Sequence, residues 1–137
     1  MRDRVAAAQP DAGRGVADDI YAGSPGGEAW SASGGGLFSS TGKLVGPKPG
    51  SMNSLVWWDA DPVRELLDGH KISKYTTTGD TRLLTAQVAA NNGTKSNAAL
   101  SGDILGDWRE EVVWRTPDNS ALRIYSTQVP TTRRLYT

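Results

Sequence analysis

Carboxylates recur along this chain at spacings that suit a hard metal ion. In a middle stretch, Trp57–Leu67, Asp59 and Asp61 are followed by Glu65; in a downstream stretch, Asp103–Val113, Asp103 and Asp107 are followed by Glu111. The Asp61/Glu65 and Asp107/Glu111 pairs share a four-residue spacing and lie 46 residues apart. Acids at alternating positions of a tight loop turn their oxygens inward. Calcium takes about six to eight oxygens, with backbone carbonyls and water completing the shell. An altered upstream copy places Asp18-Asp19-Ile20 before a Gly/Pro-rich loop and Glu28-Ala29-Trp30. The expected calcium ligands are Asp59, Asp61 and Glu65 in the middle loop, Asp103, Asp107 and Glu111 in the downstream loop, and Asp19 and Glu28 in the upstream one. The plain alternative is a solvated acidic turn that caps a strand.

Composition narrows the chemistry. There is no Cys and one His, His70, so disulfides, thiolate zinc sites and His-based clusters are excluded and any metal must be held by oxygen. Fifteen basic side chains balance fifteen acidic ones, which steers the chain toward neither nucleic acid nor an anionic membrane. No apolar run reaches the roughly 18 residues of a membrane-spanning helix. The start, Met1-Arg2-Asp3-Arg4, lacks the apolar stretch of a signal peptide.

The elements that must hold these loops read as short strands. Sixteen Gly and seven Pro punctuate the chain, and five Trp stand beside one Phe. Strands are expected at 36–39, 54–58, 64–67, 71–77, 83–86, 111–115 and 121–126, and a helix over 62–67 would be too short to stand. Asp68-Gly69 and Pro117-Asp118-Asn119 are expected hairpin turns. The repeat is therefore apolar strand, acidic loop, strand, tight turn, strand. A period of roughly 40–50 residues marks a propeller blade. The expected fold is all-β: an incomplete β-propeller over 1–137 with calcium-loop blades of about 1–45, 46–90 and 91–137. Arg134-Leu135-Tyr136-Thr137 would open a further strand.

The acidic loops resemble those of integrin-type propeller blades, although each lacks one Asp and Pro62 and Trp108 stand where Gly is usual. Over nearly the whole chain a more specific resemblance appears. Its residues are Gly13-Arg14-Gly15-Val16-Ala17-Asp18-Asp19-Ile20, Gly27-Glu28-Ala29-Trp30, Val56-Trp57-Trp58-Asp59-Ala60-Asp61, Arg64-Glu65-Leu66-Leu67-Asp68-Gly69, Asn91-Asn92-Gly93-Thr94-Lys95, Asp103 through Trp114, and Asn119 through Tyr125. In this order and spacing they resemble rhamnogalacturonan lyases of the β-propeller type, which degrade the pectin backbone. The resemblance implies about three blades from the C-terminal half of an eight-bladed, calcium-binding ring. It also implies a secreted parent protein, rhamnogalacturonan I as substrate, and the remaining blades as partners.

Such a lyase works by β-elimination. A base takes the C5 proton of galacturonate after the neighbouring carboxylate has been neutralised by Arg or calcium. Lysine serves as that base near neutral pH only where burial or nearby cations favour its neutral form. Lys95 is the base candidate, and the resemblance places Asn91, Asn92, Gly93 and Thr94 in the substrate cleft. Arg14, between two glycines, is the candidate for the carboxylate clamp. Arg64 and Arg109 are expected to pair with loop acids, His70 to sit solvated in its turn, and Trp30, Trp108 and Trp114 to fill the core. A rival reading is a non-catalytic, calcium-stabilised module that binds carbohydrate or protein.

Overall fold

The computed structural model describes residues 11–136. Strands β1 (Gly15–Asp18), β2 (Glu28–Ser31), β3 (Leu37–Ser39) and β4 (Leu44–Gly46) form the first sheet. Strands β5 (Ser54–Val56), β6 (Glu65–Asp68), β7 (Lys71–Lys74) and β8 (Thr81–Thr85) form the second, and β9 (Leu100–Gly102), β10 (Glu111–Arg115) and β11 (Leu122–Tyr125) the third. Each sheet is an antiparallel meander in chain order, as short strands joined by tight turns allow. A 3-10 turn, Gly93–Lys95, is the one helical element among the described residues. The fold is all-β.

Several sequence expectations shift at their edges. The 62–67 segment is not helical: Pro62 and Val63 lie in a bend, and β6 begins at Glu65. The two-residue hairpin turn is Gly69-His70, with Asp68 still in β6 and Gly69 at φ 59°. β7 ends at Lys74, before the turn built by Thr76 and Gly79. Residues 131–136 form no strand; Thr137 and residues 1–10, with the start of the first expected unit, lie outside the described residues. Strands β1, β2, β4 and β9 went unread.

Two core clusters lie on either side of the second sheet. Leu66 packs with Ile20, Trp30, Leu37 and Tyr75 toward the first sheet, while its neighbour Leu67 packs with Val56, Trp58, Ile72, Ala86, Val112 and Trp114 toward the third. Successive strand residues point to opposite faces, so a strand apolar at both positions is one buried on both sides. Two buried indole N–H groups bond across these layers, whereas that of Trp57 is buried without a partner. Trp30 Nε1 donates to the Ser51 carbonyl at 2.8 Å, and Trp114 Nε1 to the Gly69 carbonyl at 2.7 Å. The outer face of the third sheet is different: Leu100, Leu122 and Ile124 are 55, 65 and 62% exposed.

Candidate functional site

The first strand of each sheet runs between two kinds of chemistry. Arg14, Asn53 and the Asn97 region stand just before β1, β5 and β9, and the acidic loops begin where those strands end. β6 makes the same span in reverse, with Glu65 at the acidic end and Asp68 at the other. Three strand steps separate them by about 10 Å.

At the acidic end one device is repeated three times. Glu28, Glu65 and Glu111 are each fully buried, at 1, 0 and 2% exposure. One oxygen of each accepts two successive backbone N–H groups of the preceding loop: Ile20 and Tyr21 for Glu28, Trp58 and Asp59 for Glu65, Ile104 and Leu105 for Glu111. Neighbouring loops are then stitched together. Arg64 N donates to the Asp19 carbonyl at 2.8 Å and Glu110 N to the Trp57 carbonyl at 2.7 Å, and the Arg64 guanidinium pairs with Asp18 at 3.1 Å and Glu110 at 3.0 Å.

The loops differ in what faces their remaining oxygens. In the upstream loop, Asp19 Oδ1 and Glu28 Oε1 are buried without a hydrogen-bond partner. Burial, then the charges of Glu28, Asp18 and Asp61, pushes the Asp19 carboxyl up. An orphaned pair of buried carboxylate oxygens fits a bound cation. In the middle loop, Asp59, Asp61 and Glu65 bring oxygens within 4.8 Å of one another, the one such acidic group among the described residues. The Lys74 ammonium sits among them, at 2.9 Å from Asp59, 2.5 Å from Asp61 and 2.7 Å from Glu65. Burial works against this ammonium, but hydrogen bonds to Asp61, Glu65 and Asp59 outweigh it and hold Lys74 above the ordinary lysine range. Burial pushes Glu65 up to about 7, against the opposing hydrogen bond and charge of Lys74.

In the downstream loop the acids do not converge. Asp103 accepts the N–H groups of Gly106, Asp107 and Trp108, and Asp107 pairs with Arg109 at 2.5 Å, which holds Asp107 below the usual carboxylate range. Arg64 and Arg109 thus pair with acids, and Trp30, Trp108 and Trp114 are buried.

At the opposite end the structure brings Arg14 and Lys95 together through a residue the sequence reading missed. Arg14 Nη1 donates to the Lys95 carbonyl at 3.2 Å and to Asn53 Oδ1. Asn53 Nδ2 faces Asp68 Oδ1 at 2.9 Å, the Lys95 carbonyl at 2.9 Å and the Ser96 carbonyl at 3.0 Å. The Gly69 N–H also donates to the Ser96 carbonyl, so the Lys95 loop is clamped to the β6–β7 turn. Asn92 and Ser96 adopt φ of 61° and 53° on either side of the 3-10 turn, presenting Thr94 and Lys95 to solvent. Asn91 is occupied structurally: its backbone bridges Asn97 and its Oδ1 accepts Arg115 Nε at 3.0 Å. Two adjoining grooves share Asp68 and Lys71; one adds Asp80 and Arg82, the other His70, Thr94 and Ser96. The acidic loops stand a strand's length away from this end, so a cation held in them is not beside Lys95.

A family model described as rhamnogalacturonan lyase family 11, C-terminal domain, matches residues 4–137. The chain is 52% identical over 131 residues to the rhamnogalacturonan endolyase YesW of Bacillus subtilis (strain 168), covering 93% of this chain and 21% of that protein. It is 44% identical over 149 residues to the rhamnogalacturonan exolyase YesX of the same organism, covering 93% of this chain and 24% of the relative. The crystal structure of rhamnogalacturonan lyase YesW superposes with a TM-score of 0.85 at 51% identity, over 91% of this chain and 22% of that one. The chain spans between a fifth and a quarter of the length of the curated relatives it matches. It belongs to the rhamnogalacturonan lyase family 11 C-terminal domain family.

Proposed function

We propose that this chain supplies part of the active site of a rhamnogalacturonan lyase, with Lys95 as the base and Arg14 as the clamp on the galacturonate carboxylate. The observation that carries this reading is the joining of Arg14 and Lys95 from different sheets by Asn53, beside grooves lined by Lys71 and Arg82. Arg14 neutralises the substrate carboxylate, which makes the C5 proton more acidic. Lys95 takes that proton, the electron pair forms a C4–C5 double bond, and the C4–oxygen bond breaks with its electrons passing to the leaving sugar oxygen, which takes up a proton from water. Asn92, Gly93 and Thr94 face the sugar from the exposed side of the turn.

On the same reading the three sheets are successive blades of a β-propeller. The inter-loop hydrogen bonds repeat from the first sheet to the second and from the second to the third, as a rotational repeat requires. The exposed apolar row Leu100, Leu122 and Ile124 would then receive a further blade of the longer protein. Calcium fits the upstream loop, where Asp19 and Glu28 would hold it; when bound it neutralises their buried charge and stiffens the loop. Secretion of the parent protein follows from an extracellular plant polymer as substrate.

The test uses the longest natural polypeptide carrying this sequence, assayed on rhamnogalacturonan I for the ultraviolet absorbance of unsaturated product. Lys95→Ala is expected to lower kcat by about 100- to 10,000-fold, the range of general-base catalysis. Activity within tenfold of the parent would remove Lys95 from that role. An inactive but folded parent that still binds the polymer would instead support the carbohydrate-binding reading.

A further inference from the structure

We propose that Lys74 is the resident cation of the middle acidic loop, a covalently tethered ammonium in the place where the repeat would otherwise hold a divalent metal ion. The carboxylate oxygens of Asp59, Asp61 and Glu65 lie within 4.8 Å of one another. That separation is about twice a calcium–oxygen distance of 2.3–2.6 Å, so the group is of metal-binding size. Its centre is nevertheless filled. An ammonium has three N–H donors, and each has its own acceptor on a different acid, at 2.9, 2.5 and 2.7 Å. The donor capacity of the ammonium is spent inside the loop, and the side chain is only 19% exposed. A metal ion taking these oxygens would have to expel the ammonium from all three partners.

The register explains why this happens in one loop. Glu28 faces Ser39 across the strand pair β2–β3. Continuing the β6–β7 register by one step sets Lys74 opposite Glu65, and continuing the β10–β11 register sets Ser126 opposite Glu111. The same structural slot thus carries Ser, Lys and Ser in the three sheets. A short hydroxyl leaves the second oxygen of Glu28 free and unpartnered, whereas the long lysine reaches the second oxygen of Glu65. The middle loop, which sits between its two neighbours and is stitched to both, therefore keeps its geometry without any dissolved ion. Chelation can then loosen an outer loop while the central one stays closed.

The 137-residue chain is the material for the test, with calcium counted by equilibrium dialysis and unfolding followed with calcium or chelator present. Lys74→Ser, which installs the residue of the two outer sheets, is expected to bind one more calcium per chain than the parent and to acquire a calcium-dependent rise in Tm. Asp59→Asn combined with Asp61→Asn, in the presence of Lys74, is expected to leave the parent's calcium count unchanged. The count is a difference between variants, so it is read whether or not the upstream loop holds calcium. Loss of one calcium in the double Asn variant would overturn the proposal, since an ion would then share the loop with Lys74. An unchanged count in a folded Lys74→Ser would also overturn it. Should Lys74→Ser fail to fold without calcium and fold with it, the gained requirement supports the proposal; failure to fold in both, with one calcium lost from the double Asn variant, refutes it.

Discussion

On the proposed lyase function, replacing Asn53 by Ala should impair catalysis more than stability, because this side chain fastens the Lys95 loop rather than the core. Its amide nitrogen faces three acceptors, Asp68 Oδ1, the Lys95 carbonyl and the Ser96 carbonyl, at 2.9, 2.9 and 3.0 Å. Its oxygen accepts from Arg14. An amide has two N–H donors, so two donated bonds are lost, together with the bonds accepted from Arg14 and, at 3.4 Å, from Asn97, the last too long to add much. At about 0.5–1.5 kcal/mol net each, and discounted because the site is half exposed, the loss is about 1–2 kcal/mol. About 1.4 kcal/mol is tenfold in an equilibrium constant. The docked-to-undocked ratio of the Lys95 loop should fall by about that factor, and a misplaced base can cost roughly 100-fold in rate. The expected result on rhamnogalacturonan I is a 10- to 100-fold fall in kcat with KM changed less, and a fall in unfolding free energy in urea of no more than about 1–2 kcal/mol. Asn53→Asp separates the donor role from simple space filling. A carboxylate there faces three acceptors, one of them the Asp68 carboxylate, so Asn53→Asp should be worse than Asn53→Ala. The reasoning is refuted if Asn53→Asp is the more active of the two, or if Asn53→Ala retains kcat within twofold.

Trp114→Ala should cost about 3–5 kcal/mol in denaturant unfolding, the range for removing a large buried aromatic; Trp114 is fully buried and meets Tyr125 edge-on at 5.3 Å. Trp114→Phe keeps most of the volume but leaves the Gly69 carbonyl unpaired, and should cost about 1–3 kcal/mol. Hydrogen bonds from Thr116 and Ser120 pull Asp118 down to about 2. Because the folded value is depressed, the stabilisation is complete above the ordinary value of 3.8 and is lost as pH falls toward about 2. Carboxyl chemical shifts across that window should place the Asp118 midpoint near its lower end, and Thr116→Val should move it upward.

How much of this was legible follows from the distance over which each feature is decided. The acidic loops could be read because their backbone partners are local: Glu65 accepts N–H groups of Trp58 and Asp59, and Glu111 those of Ile104 and Leu105. The turn after β6 was nearly right, displaced by one residue because Gly69 and His70, not Asp68, occupy the two central positions. Strands β1, β2, β4 and β9 went unread since Gly and Ser break their alternation, and only pairing with neighbours makes them strands. Asn53 was invisible because its partners come from 15 to 44 residues away and all three sheets must form before they meet. Lys74 was missed for a narrower reason. It is 9 residues beyond Glu65, but only the β6–β7 register turns it toward the acids rather than toward solvent.

The repeated Glu is best understood as a backbone device first and a cation ligand second. In all three sheets one of its oxygens closes the loop by accepting two consecutive N–H groups, which would otherwise be buried donors costing about 1–3 kcal/mol each if unpaired. That duty does not vary. What varies is the companion of the other oxygen: none at Glu28 and the Lys74 ammonium at Glu65. Burying a carboxylate is tolerable only when its charge is answered. The repeat fixes the Glu through the backbone and leaves the answer to whichever residue the next strand brings across. Carboxylate spacing alone therefore does not distinguish Glu28, whose second oxygen is unanswered, from Glu65, answered by Lys74. On the proposal made above, the residue that decides occupancy is the cross-strand neighbour, Ser39 in the first sheet and Lys74 in the second.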